Sequence, residues 1–312
     1  MPEKVMVTIF SRDRAMQLDG TLKSFFRHCS DPDYALITIL YKTTNDYHKN
    51  QYRILENEYR ELGVIFIEET FFEKDFLQII FQFTRIPLMP GRLCFSVLHF
   101  FHKITGKFYF GYNPKGYVLF VVDDTIFVRP FTLQEVCNIL EKNPDAIGFS
   151  LRLGRNTTFC YTLNRPQVEP DYMLLEESIL KFKWPVSDAD FGYPLEVSSS
   201  MYRIPDLLPL LSIISFKNPN KLEEKMSIHA KEFAKDKPIL LCFNQTVAFS
   251  NPVNRVQKVY PNHAGVKISQ TSEELASLFD NNYRIQVENF DYYSPTGCHQ
   301  EVPLDFKKRR IL

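Results

Sequence analysis

Asp123 and Asp124 close the apolar run Tyr117 to Val122 in the stretch YVLFVVDDTIFVRP. Adjacent carboxylates repel one another unless a cation or a proton intervenes. Hard cations such as Mg²⁺ and Mn²⁺ take oxygen ligands, commonly one or two carboxylates together with the phosphates of a substrate. The pair therefore reads as a place for a divalent ion and a diphosphate. The other reading is a strand-end turn in which Asp bonds local backbone.

A second set of polar groups follows the first apolar run. In SRDRAMQLDGTLKSF, residues Ser11, Arg12 and Arg14 stand between a strand pattern and a helix pattern. Arginine there suits a base, a ribose or a diphosphate through stacking or forked hydrogen bonds; a solvated basic loop is the plain alternative. Arg152 and Arg155, after a later strand, could reach the same diphosphate or the acceptor; solvated side chains are the plain alternative. The third set is WPVSDADFGYPLEVSSSMYR, residues 184 to 203, which places Asp188, Asp190 and Glu196 among aromatics. A carboxylate desolvated by Trp184, Phe191 and Tyr193 would have its pKa raised toward the range a general base uses. His99 and His102 share a helical face among apolar neighbours and read as core or surface histidines rather than metal ligands.

These groups need a frame. Lys4 to Phe10, 35 to 41 (ALITILY) and 64 to 69 (VIFIEE) are continuous apolar runs. Helical patterns over 15 to 29 and 47 to 62 separate them, and Gly63 stops the second. Strands that are apolar on both faces belong to a parallel sheet covered by helices, so the pattern predicts an α/β fold. Tyr117 to Val122 and 146 to 154 extend the strand series. Phe71 to His102 reads as two helical pieces broken near Pro87 to Gly91. Helices are expected over 133 to 141, 204 to 214, 222 to 235 and 272 to 279, with irregular chain over 184 to 194. In such sheets ligands bind beyond the carboxyl ends of the strands, where Asp123 and Asp124 stand.

The 312 residues suffice for a sizeable core, and no linker or repeat divides them, so one domain over 1 to 312 is the working division. A formal net charge of zero gives no basic surplus for nucleic acid. The opening MPEKVMVTIFSRD has too short an apolar run for a signal peptide, and no stretch is long and apolar enough to span a bilayer. Six scattered cysteines without CxxC spacing read as buried thiols, and together these features lead us to expect a cytoplasmic protein. The tail FKKRRIL could add peripheral attraction to anionic lipid at the inner membrane face.

SRDRAMQLDGTLKSF, YKTTNDYHKNQY, YVLFVVDDTIFVRPF and FGYPLEVSSSMYR together resemble a group of bacterial, family-2-like glycosyltransferases of the GT-A fold. In that group the first loop has the form SRDRAxQL and the metal motif the form VDDxIF. The resemblance covers the first two-thirds of the chain well and the last third loosely. It implies a Rossmann-like, mostly parallel sheet, with a nucleotide-sugar half over about 1 to 155 and an acceptor half over about 156 to 312. It implies a hexosyltransferase-type enzyme of cell-surface polysaccharide synthesis. Such an enzyme moves a sugar, with inversion, from a nucleotide-sugar donor such as a UDP-sugar to a carbohydrate or lipid-linked acceptor.

A DxD-type motif in that family holds Mn²⁺ or Mg²⁺ and the donor diphosphate. Here it reads Asp123-Asp124-Thr125, a departure from strict DxD; Asp124 is the favoured direct ligand, with Asp123 on the ribose or a metal-bound water, and His263 is a candidate third ligand. The family's GDWGYPxSVDGHIFR matches Asp190 and FGYP, but its Asp-Gly-His is replaced by Ser198 to Met201, leaving Glu196 or Asp190 to act as base. FNQTVAFSNPVNRVQ resembles the family's Asn-Arg-Val-Gln segment and is expected to line the site. A non-catalytic protein on the same frame is the alternative. A nucleotidyltransferase fits less well, because no Gly-rich loop follows the first strand.

Overall fold

The computed structural model describes residues 5–85, 115–254, 264–265, 268 and 270–309. Its centre is a nine-stranded sheet in the order β3-β2-β1-β4-β11-β6-β12-β10-β9. The strands are β1 (Val5–Arg12), β2 (Ala35–Lys42), β3 (Ile65–Glu68), β4 (Tyr117–Val122), β6 (Ala146–Ser150), β9 (Tyr172–Leu175), β10 (Ile179–Lys183), β11 (Ser200–Arg203) and β12 (Ile239–Phe243). β5 (Thr125–Phe127) pairs with β13 (Ala248–Ser250), β14 (Tyr283–Ile285) with β15 (Phe306–Lys308), and the two-residue strands β7 (Phe159–Cys160) and β8 (Arg165–Pro166) with each other. β3, β2, β1 and β4 run parallel, as do β6 and β12, while β11 and β10 run against their neighbours.

The α/β expectation is met: a mostly parallel sheet is flanked by helices on both faces. Along β1, Val5, Val7 and Ile9 enter one apolar cluster and Met6 and Phe10 the other, the alternation that a strand buried on both faces imposes. The first cluster packs against α1 (Ala15–His28), α2 (Asp46–Tyr59) and α4 (Leu133–Lys142); the second against α3 (Phe72–Thr84), α5 (Ile204–Ile213) and α6 (Pro219–Phe233). α7 (Ser272–Asp280) joins the first face and opens with a reciprocal capping box between Thr271 and Glu274. α2 is capped by Asn45, whose side chain accepts from the His48 N–H, and the short 3₁₀ turn that follows it ends at Gly63 in the left-handed conformation, φ 73°.

Two features depart from the sequence reading. β11 enters antiparallel between β4 and β6, and β10, β12 and β9 complete the sheet from a region read as loose. β11 has only four residues and opens on the last of three serines, so no apolar run announces it. β9 lies at the sheet edge with Met173 and Leu174 exposed. The second helical piece expected before His102 lies outside the described residues, as do His99 and His102. Cys29, Cys137, Cys160, Cys242 and Cys298 are buried free thiols, as expected. No described helix is long and apolar enough to cross a membrane.

Candidate active site

Register brings the first two polar sets together. Phe10 of β1 pairs with Val122 of β4, so the next residues, Ser11 and Asp123, stand side by side where the β1–β4 pairing ends, while Ser11 and Arg12 still pair with β2. Asp13 turns the chain with φ 53°, a left-handed conformation that Asp adopts more readily than most residues. Its carboxylate accepts from the Thr44 N–H at 2.8 Å, which ties the turn to the end of β2.

Asp123 is buried and fully engaged. Oδ2 accepts from Ser11 Oγ at 2.9 Å and from the Arg12 N–H at 3.1 Å, and Oδ1 accepts from Arg14 Nη1 at 3.1 Å. Its carbonyl takes the Thr21 hydroxyl at 2.8 Å. Asp124 Oδ2 shares Arg14 Nη1 at 3.1 Å, and its carbonyl accepts from the Asn251 N–H at 2.8 Å. Arg14 is held in turn by the Asn254 carbonyl, 2.5 Å from Nη2, and by the Tyr52 hydroxyl, which accepts from its N–H at 3.2 Å. Tyr52 also bonds Ser11 Oγ at 2.5 Å.

One guanidinium thus stands between two carboxylates and leaves the trio with one net negative charge. Burial lowers the pKa of Arg14, but Asp123 and Asp124 outweigh it and raise the group above its ordinary value. Burial raises Asp124; Arg14 opposes that shift and Asp123 adds to it.

The trio opens into a cleft of about 370 Å³ that all five of Ser11, Arg12, Arg14, Asp123 and Asp124 line. Lys42 and Glu69, paired at 2.7 Å, form one rim. The start of α6, from Lys217 to Asn220, forms another, and Ser198, Glu223 and His299 complete the wall. Of the three loop residues, Arg12 is the exposed one, its side chain 47% accessible.

The third polar set divides. Asp188 lies on the surface in a forked pair with Arg165, at 2.7 and 2.8 Å. Asp190 is buried, its Oδ2 accepting from Gln167 Nε2 at 3.0 Å while Gln167 Oε1 takes the Asp190 N–H at 2.9 Å. Glu196 is 2% exposed; Oε2 accepts from the Ser198 hydroxyl at 2.7 Å and from the Ser198 N–H, and Oε1 stands 3.5 Å from Arg152 Nε. Arg152 sits behind Ser198, with Nη1 3.3 Å from its Oγ. None of Asp188, Asp190, Glu196 and Arg152 lines the cleft. Ser198 does, and the next residue, Ser199, has φ 146°, a conformation that favours glycine. His263 and Gln257 lie outside the described residues; Asn254 lines the cleft and its carbonyl accepts from Arg14, while the Asn251 N–H bonds the Asp124 carbonyl.

Sequence reasoning missed Tyr52, Glu223 and His299. Tyr52 falls on the apolar face of α2 and reads as core. Glu223 accepts from the Val197 N–H at 3.0 Å and the Tyr193 hydroxyl at 3.3 Å. Burial, followed by the charge of Glu196, raises its pKa, against the opposing pull of Arg152. Burial and then Arg152 hold His299 down to about 4.

A divalent cation fits this place by charge and donor type. Asp123 and Asp124 offer carboxylate oxygens at a net negative position, and hard cations favour such ligands. Among the described residues no group of three or more His, Cys, Asp or Glu could hold a metal ion, so further ligands would come from phosphate and water.

No protein-family model matches the chain. In an alignment 284 residues long that covers 83% of this chain, it is 26% identical to the bifunctional glycosyltransferase pgtA of Dictyostelium discoideum. The chain is homologous to part of that protein and spans 33% of its length. Among solved structures it resembles residues 1–349 of TarS from S. aureus, with TM-score 0.44 and 13% identity over 80% of this chain and 61% of that one. A mannosyltransferase from Pyrobaculum calidifontis, in complex with GDP-Man and Mn²⁺, aligns with TM-score 0.38 and 10% identity over 76% and 53% of the two chains.

Proposed function

We propose that this chain is a metal-dependent glycosyltransferase that moves a sugar, with inversion, from a nucleotide-sugar donor such as a UDP-sugar to a glycan or lipid-linked acceptor. The observation that carries this reading is the placement of Asp123 and Asp124 beyond the carboxyl end of a central strand. They share one guanidinium there and keep a net negative charge at the floor of a cleft. Homology to a region of a bifunctional glycosyltransferase supports it independently.

Asp124, with one oxygen committed to Arg14, would hold the metal directly, and Asp123 would orient it from a site fixed by Ser11 and the Arg12 amide. When bound, Mn²⁺ or Mg²⁺ supplies positive charge to the departing diphosphate. Arg12, exposed at the mouth, suits the nucleotide by stacking or forked hydrogen bonds. Arg14 keeps the two carboxylates together before the donor arrives. The exposed Lys307 and Lys308 support peripheral contact with anionic lipid, which would bring a lipid-linked acceptor near.

Calorimetric titration of UDP and of GDP, with and without Mn²⁺, tests the donor site. UDP binding that requires Mn²⁺ and is lost in Asp124→Ala is the expected result. Absence of nucleotide binding under every metal condition would sink the assignment. Ser198, standing in the cleft wall where the resembled family has an acid, favours a second reading, a non-catalytic nucleotide-binding protein. Donor turnover separates the two.

A further inference from the structure

We propose that Glu223 is the general base of this cleft, taking the proton from the acceptor hydroxyl as its oxygen attacks the anomeric carbon of the donor. The assignment rests on the glycosyltransferase reading above. In the step, the new bond from acceptor oxygen to anomeric carbon forms as the bond from that carbon to the diphosphate oxygen breaks. The bonding pair leaves with the diphosphate, and the acceptor proton ends on the Glu223 carboxylate.

The argument begins with which carboxylates can meet a substrate. Among the described residues four line the cleft: Glu69, Asp123, Asp124 and Glu223. Glu69 is paired with Lys42 at 2.7 Å, and Asp123 and Asp124 share Arg14. Glu223 is the cleft carboxylate with no ammonium or guanidinium within ion-pair distance among the described residues. It is positioned by two hydrogen bonds, from the Val197 N–H at 3.0 Å and the Tyr193 hydroxyl at 3.3 Å. A base needs a fixed carboxylate with lone pairs left to accept a proton, and this one has both.

The acids suggested by sequence are spent elsewhere. Asp188 faces solvent with Arg165, Asp190 is locked to Gln167, and Glu196 is turned behind Ser198. Glu196 still contributes. Desolvation, and after it the charge of Glu196, raises the pKa of Glu223 above its ordinary value, the direction that suits a base. Arg152 opposes that shift, Tyr193 and Tyr202 are the neighbouring phenols, and His299 and Lys217 face the same cleft.

The test compares wild type, Glu223→Gln and Glu223→Ala, using UDP with Mn²⁺ for binding. Nucleoside diphosphate release from UDP-glucose, UDP-galactose, UDP-GlcNAc and GDP-mannose, with water as acceptor, reports turnover. We expect both variants to bind UDP as wild type does and to release diphosphate about 100-fold more slowly or worse. The acid limb of the wild-type pH profile should vanish in Glu223→Gln, and sodium formate should restore part of the rate to Glu223→Ala. Wild-type release by Glu223→Gln overturns the assignment. So does a wild type that binds UDP yet releases diphosphate from none of the four donors. A wild type that binds no UDP overturns the donor reading itself, and the base with it.

Discussion

Nη1 of Arg14 stands 3.1 Å from Oδ2 of Asp124, and the same nitrogen is 3.1 Å from Oδ1 of Asp123. This shared contact explains how a buried strand ends on two like charges. The protein carries its own cation at the site, but one cation for two anions. The remaining negative charge is what a divalent ion would answer. Arg14 does not float there: the Asn254 carbonyl and the Tyr52 hydroxyl fix it from the C-terminal segment and from α2.

Replacing Arg14 with Met should therefore expose the repulsion. Removing one partner of a buried ion pair costs about 3 to 5 kcal/mol. Arg14 holds the pKa of Asp124 down against burial, so its loss moves that carboxyl further above the ordinary value. A carboxyl whose folded pKa exceeds its unfolded value favours folding when protonated and opposes it once pH rises through the folded pKa. The variant should thus regain stability on acidification from pH 7.5 to 5, and should gain more from Mn²⁺ than wild type does. Urea midpoints at the two pH values, with and without Mn²⁺, measure this. Equal losses at both pH values would mean that packing, not charge, had been removed.

The carboxylate pair was legible because a long apolar strand that stops on charges is a strong local signal, and Ser11 and Arg12 followed from the adjacent strand. That Arg14 turns inward was not legible. Its direction is set by the left-handed turn at Asp13 and by partners far along the chain, Asn254 and Tyr52. Glu223 was hidden for a different reason: an acid in the first turns of LEEKMSIHAKEF reads like any solvated helix face, and contact with Val197 and Tyr193 alone marks it. The parallel half of the sheet showed as long apolar runs. The antiparallel insert β11 did not, because four residues that open on the last of three serines carry too little periodicity.

Asp188 and Asp190, two residues apart, should respond in opposite ways. Asp188→Asn removes a surface pair with Arg165 in free exchange with water, and melting temperature and UDP affinity should not change. Asp190→Ala strands the buried amide of Gln167, a loss of about 1 to 3 kcal/mol. Thermal melts of both variants check the contrast. A large loss in Asp188→Asn would show that its exposed pair does more than the geometry indicates.

His299 gives the cleft wall an acid sensitivity of its own. Burial and the nearby Arg152 hold its pKa down to about 4, against about 6.5 for an unperturbed imidazole. Between those values the unfolded chain takes up a proton that the folded chain refuses. Stability from this group is therefore complete above pH 6.5 and drains away as pH falls toward 4. Asp190 and Glu196 pull the other way and moderate the loss. His299→Gln has no proton to refuse, so the gap in urea midpoint between pH 7 and pH 5 should narrow relative to wild type. If the gap is unchanged, the imidazole titrates as it does in water, and its place beside Arg152 is more open than the packing of Cys298 and Arg152 implies.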